Sequence, residues 1–161
     1  MSGWLKLYDG RTGRKRSMDK FMQAALDEAK LGLSQKGIPI GSVAVKDGKI
    51  IGRGHNKRVQ EKDPILHAEI DCLRNAGRIK SYKGVTLYST LMPCYLCAGA
   101  IVQFGIKKVI AGESQNFKGA REFLESKGVE VTDLDSRECT EMMRVFIENN
   151  PQLWNEDIGE L

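Results

Sequence analysis

No apolar run in the 161-residue sequence approaches the roughly 18 residues needed to cross a bilayer, and the first thirty residues lack an apolar core of signal-peptide length. Neither a membrane-spanning nor a secreted protein is indicated, and a cytoplasmic location is the expectation. Internal repeats and low-complexity segments are absent, which excludes collagen-like and fibrous classes. Cysteine is sparse at four residues, and without a secretory leader these read as thiols, ligands or core packing rather than as two disulfides.

A single-signed charge is also missing from most of the chain. Of 25 Lys and Arg and 21 Asp and Glu, five cations (Lys6, Arg11, Arg14, Lys15, Arg16) and one acid (Asp9) fall within residues 1–16, leaving 20 of each sign in residues 17–161. The formal net charge of +4 is therefore that of a short arm, and the body lacks the basic footprint of a nucleic-acid-binding domain. Residues 1–16 read as a basic arm, native or appended and expected to be disordered; residues 17–161 read as one domain with a C-terminal tail.

What is present is a regular alternation of elements. Ser17 offers an N-cap, and apolar Met18, Met22, Ala25, Leu26, Ala29 and Leu33 give the stripe of an amphipathic helix ending near Gly32 to Lys36. The pair Asp47-Gly48 between extended runs 42–46 and 49–53 predicts a two-residue hairpin turn, since both residue types tolerate positive φ. Helices over about 67–76, 94–104, 119–127 and 135–149 then alternate with strands over 84–90, 108–111 and 129–133. This pattern predicts a layered α/β domain with helices on both faces of a sheet.

Two short motifs carry chemistry. His67-Ala68-Glu69 and Pro93-Cys94-x-x-Cys97 are each weak alone, and Cys94-x-x-Cys97 by itself also fits a redox pair. Together they place one imidazole and two thiolates at the starts of two consecutive predicted helices flanking one strand. Cys94 and Cys97, three apart, share a helix side and can reach one ion. Three protein ligands leave a fourth tetrahedral position open, as in a catalytic zinc site. A closed structural site would need Cys72, Cys139 or His55 as the fourth ligand. Glu69 favours the open reading, because a water held by the metal needs a base for its proton. Cys72 and Cys139 fall on apolar helical faces, and His55 reads as structural.

A His-x-Glu followed by Pro-Cys-x-x-Cys is the signature of zinc deaminases. Beyond it, Ile38-Pro39-Ile40-Gly41, residues 52–56 (Gly-Arg-Gly-His-Asn), Asn116-Phe117-Lys118 and residues 154–160 (Trp-Asn-Glu-Asp-Ile-Gly-Glu) resemble the yeast-type cytosine deaminases, within the cytidine and deoxycytidylate deaminase superfamily. The resemblance covers nearly all of the chain after the arm. It implies a three-layer cytidine-deaminase-like fold: a five-stranded mixed sheet of order 2-1-3-4-5 with helices on both faces.

For the site, the resemblance implies one zinc on His67, Cys94 and Cys97, with Glu69 as proton shuttle. It places Asn56 and Asp157 on the base, and Ala68, Phe117 and Trp154 around it. The implied activity is hydrolysis of a free aminated base, cytosine to uracil and ammonia first, by a homodimer that engages neither membrane nor nucleic acid. Isocytosine, guanine or another aminated ring is the next reading, followed by tRNA adenosine and by a zinc-stabilised binding module. Three positions depart from the fungal pattern: Ala68 stands for Gly, Val59 for an aromatic residue and Asn155 for Phe.

Overall fold

A computed structural model describes residues 18–160. The arm and Ser17 lie outside the described residues. The first helix, α1 (Lys20–Ser34), is capped two residues later than the sequence suggests: Asp19 Oδ1 accepts from the backbone N–H of Phe21 at 2.7 Å and of Met22 at 3.4 Å. Asp is a strong cap because its carboxylate satisfies otherwise orphaned first-turn donors.

The hairpin forms as predicted from β1 (Gly41–Lys46) and β2 (Lys49–His55), with Asp47 and Gly48 at φ of 49° and 72°. A short helix, α2 (Arg58–Glu61), which the sequence pattern does not predict, leads to α3 (Ala68–Ala76). The alternation continues with β3 (Thr86–Ser89), α4 (Tyr95–Gln103), β4 (Lys108–Ala111), α5 (Arg121–Ser126), β5 (Glu130–Asp133), α6 (Arg137–Asn149) and α7 (Pro151–Ile158).

The sheet order is β2-β1-β3-β4-β5, with β1 antiparallel to both β2 and β3 and the β3-β4-β5 ladder parallel. Strand alternation sorts the core onto two faces. Val43, Val45 and Tyr88 pack against Met22, Ala25 and Leu26 of α1 and Cys139 of α6. Ala44, Leu87, Val109 and Val131 pack against Cys72, Leu73, Ala98, Ile101 and Leu124 of α3, α4 and α5. Each large aliphatic buried here contributes roughly 1.5–3 kcal/mol before entropy is counted.

One end of this sheet carries everything that follows. Gly41 pairs with His55 and Ser42 with Ser89, so Ile40, the β2 exit at His55-Asn56 and the β3 exit at Ser89-Thr90 meet there. Gly54 lets α3 press onto that end, because a Cβ at this position would lie 2.5 Å from the Cys72 nitrogen and 2.6 Å from Asp71 Oδ2. The tail helix α7 packs across the same end through Trp154, clustered with Ile38, Ile40, Leu91, Met143 and Phe146.

Candidate metal centre and active site

His67 and Cys94 occupy equivalent places: each is the N-cap of its helix, in extended backbone conformation, and neither side chain caps the helix. With neither side chain spent on a cap, the imidazole and the sulfur are left to face one another. Cys97 follows in the first turn of α4. One donor atom from each of His67, Cys94 and Cys97 falls within 4.8 Å of the others, and Cys94 Sγ is 3.4 Å from His67 Nδ1.

The donor chemistry fits zinc. Hydrogen bonding from Cys97 and then from His67 outweighs burial and lowers the Cys94 thiol to about 4, so one thiolate is in place at neutral pH. Burial pushes the Cys97 thiol well up, and the bond to Cys94 adds to this, as expected when two sulfurs share one proton. Burial alone would lower the His67 imidazole; contact with Cys94 and the Asp157 carboxylate raises it instead. None of the alternative fourth ligands joins the cluster. Cys72 is buried with its Sγ directed at Gly52 O at 3.4 Å, and Cys139 is buried in the other face. His55 is held by Glu28 Oε2 at 2.8 Å and Gln35 Oε1 at 2.9 Å.

Glu69 is the second residue of α3, almost fully buried, where Ser89 Oγ donates to its Oε1 at 2.5 Å. Burial raises its carboxyl above the ordinary range, a shift that favours a group required both to take and to give a proton.

Asn56 and Asp157, 101 residues apart, meet across the mouth: Asn56 Nδ2 donates to Asp157 Oδ1 at 3.0 Å, which stands 3.7 Å from His67 Nε2. Burial raises the Asp157 carboxyl. Phe117 and Trp154 form an edge-to-face wall, ring centroids 5.8 Å apart at 88°. Asp157, Phe117 and Trp154, with Ile40, Leu91, Met92 and Ile158, surround a cavity of about 20 Å³ that reaches His67, Glu69 and Cys94; Asn56 lies behind Asp157 and does not line it. Ala68 is different. It is fully buried and packs with Ile38, Leu91 and Trp154, but it does not line the cavity. Of the departures from the fungal pattern, Val59 is over a third exposed on α2, and Asn155 sits in α7, its carbonyl accepting from Glu160 N–H at 2.8 Å.

Ser89, Arg58 and the two partners that hold the structural His55, Glu28 and Gln35, escaped the sequence reading. Only tertiary pairing brings them into play. Asp71 belongs with them, since its Oδ2 accepts the His55 N–H at 3.1 Å and pairs with Lys57 at 3.0 Å, fixing the β2 exit that presents Asn56. A larger concavity, about 680 Å³, is elsewhere, between α3 and α4, lined by Leu73, Tyr82 and Phe104.

A carboxylate beside one imidazole and two sulfurs at paired helix starts, under a closed apolar pocket on a 2-1-3-4-5 sheet, defines the class of zinc-dependent deaminases. The model of the cytidine and deoxycytidylate deaminase zinc-binding region matches residues 15–113, and the chain belongs to that family. A cytosine deaminase of Candida albicans is 49% identical over 144 residues, 88% of this chain and 96% of its own length. A tRNA-specific adenosine deaminase of Streptococcus pyogenes is 46% identical over 107 residues, 62% of this chain and 65% of its own. The solved guanine deaminase of Nitrosomonas europaea, 19% identical, superposes with a TM-score of 0.67 over 78% of this chain and 82% of its own, and shares the fold.

Proposed function

We propose that the protein hydrolyses free cytosine to uracil and ammonia, with His67, Cys94 and Cys97 holding zinc, Glu69 moving the proton, and Asn56 and Asp157 reading the ring. The observation that carries this is the Asp157 carboxylate, which lines one pocket with Glu69 and is held there by the Asn56 amide at 3.0 Å. The match to the Candida albicans cytosine deaminase over 96% of that chain supports cytosine as the ring. The neutral balance of residues 17–161 argues against a polyanionic substrate, which needs a surface excess of Lys and Arg.

Bound zinc supplies Lewis acidity that makes water a nucleophile at neutral pH. Glu69 would accept the proton that water gives up and pass it to the ring nitrogen beside the amino-bearing carbon; it would then take the remaining proton of the hydroxyl added at that carbon and deliver it to the amino group, so that the C–N bond breaks and ammonia leaves. Ser89 holds the carboxylate in place for both transfers. The Asp157 oxygen accepts from the exocyclic amino group while the Asn56 amide meets the ring edge. Phe117 and Trp154 keep bulk water out.

A second copy of the chain covers the exposed apolar side of α4 and its neighbourhood. Tyr95 is 70% exposed, Phe104 54% and Ile65 55%, an unusual density for a surface that stays in water. A homodimer predicts a solution mass twice the 18.0 kDa of the chain. The activity is tested by ammonia release from cytosine before and after chelation. Zinc-dependent release supports the proposal, and equal rates after complete metal removal contradict it.

A further inference from the structure

The apolar part of α7 and its polar end are held by different means. Trp154, 6% exposed, anchors the first turns in the core. The last turn, which carries Asp157, adds the partly buried Ile158 to that apolar cluster and is further tied by polar contacts, the central one made by Arg58. Its backbone N–H donates to Asn56 Oδ1 at 3.1 Å, and its Nε donates to Pro64 O at 2.9 Å. Its terminal nitrogens lie 3.5 Å from Asp157 Oδ1 and 4.0 Å from Glu156 Oε1. The Arg58 side chain is 11% exposed and that of Asp157 4%, so water and salt screen this pair far less than an ordinary surface pair.

The cavity that Asp157 overlies, about 20 Å³, has room for about one water and none for a heterocycle. A ring is therefore admitted only when part of this lining draws back, and Asp157 reads the ring only if its carboxylate then returns. A guanidinium suits that task. One edge is fixed on Pro64 while the other faces the carboxylates, and a cation at a helix C-terminus is also favoured by the helix dipole.

We propose that Arg58 is a positioning residue for base binding: held by Pro64, it draws the last turn of α7 back over the pocket and aims Asp157 at the bound ring. Its kinetic consequence rests on the nucleobase-deaminase reading, whereas its hold on α7 does not.

The test compares wild type, Arg58→Met and Arg58→Lys in the zinc-loaded full chain. Arg58→Met raises KM for cytosine about tenfold, as expected for a partly buried charge-assisted contact, and changes kcat less than about threefold. Arg58→Lys, which keeps the charge but not the fork, recovers part of the KM. Hydrogen exchange in Arg58→Met accelerates in the last turn of α7 and not in α1 or α6. Unchanged KM and unchanged exchange overturn the proposal. So does faster exchange spread evenly over α1, α6 and α7, or a loss confined to kcat. Should wild type release no ammonia from any free base, the functional reading fails and the exchange measurement alone decides the role of Arg58.

Discussion

Replacing Glu69 with Gln separates proton transfer from everything else this residue does. Gln has nearly the same shape, and its carbonyl oxygen can still accept from Ser89 Oγ, so neither a cavity nor an orphaned hydroxyl is created at a site 4% exposed. The substitution also removes the cost of burying a charge, so thermal stability is unchanged or slightly raised. The three metal donors are untouched, and zinc content stays near one per chain. What is lost is a base. General acid–base catalysis of this kind contributes about 10²–10⁴-fold, so kcat falls at least about 10²-fold, or about 2.7 kcal/mol in barrier. Glu69→Ala behaves differently: it orphans Ser89, leaves a void and costs about 1–3 kcal/mol of stability besides. The assay couples ammonia release to elemental zinc analysis and a melting curve on the same preparation. A Gln variant that is folded, zinc-loaded and nearly as active as wild type would refute the role of Glu69.

Cys94→Ser loses zinc, because a three-ligand site has no spare thiolate; full occupancy by elemental analysis would remove Cys94 from the metal set. In metal-stripped protein at pH 6, iodoacetamide labels Cys94 first, since its thiol is lowered to about 4 while those of Cys72 and Cys139 stand raised at about 12 and 11; mass spectrometry reads the site, and zinc protects it. Glu28→Gln costs about 1–3 kcal/mol near pH 7 by weakening the bonds to His55 and Arg53. Burial would raise the Glu28 carboxyl, but those bonds lower it below its ordinary 4.5, so its contribution is complete above that value and lost as pH falls through the folded one. The stability gap between wild type and variant therefore closes in acid, and a gap that widens below pH 4 would contradict this. Deleting residues 152–161 leaves a zinc-loaded protein with poor turnover, because α7 supplies a pocket wall and Asp157; unchanged activity would show α7 to be dispensable.

The features legible in the sequence are those set by local chemistry. Asp47-Gly48 announces its turn through φ alone, and His67, Cys94 and Cys97 announce theirs through spacing on two helix starts. Trp154 and Asp157, three apart on α7, reach one pocket as helical geometry requires. What was not legible depends on partners distant along the chain. Ser89 looks like any strand serine until β3 sets it under Glu69, and Arg58 is one cation among 25 until α7 arrives. The four-residue α2 carries no hydrophobic period to detect. Ala68, which the resemblance placed among the pocket residues, is fully buried at the first position of α3 in the cluster of Ile38 and Leu91 and is not among the residues that line the cavity.

The central claim is that a closed pocket beside the metal donors serves a small free ring, and side-by-side kcat/KM values test it most directly. Zinc-loaded protein, both full-length and starting at Ser17, is offered cytosine, isocytosine, guanine, cytidine and an adenosine-bearing tRNA at moderate salt, with ammonia as the common readout. The account predicts that cytosine leads and that every free base turned over outranks cytidine and tRNA, since a cavity of about 20 Å³ walled by Phe117, Trp154, Asp157 and Ile158 must open less for a bare ring than for a ring that carries a ribose. Faster turnover of cytidine or tRNA adenosine than of any free base, by both forms of the protein, would contradict it.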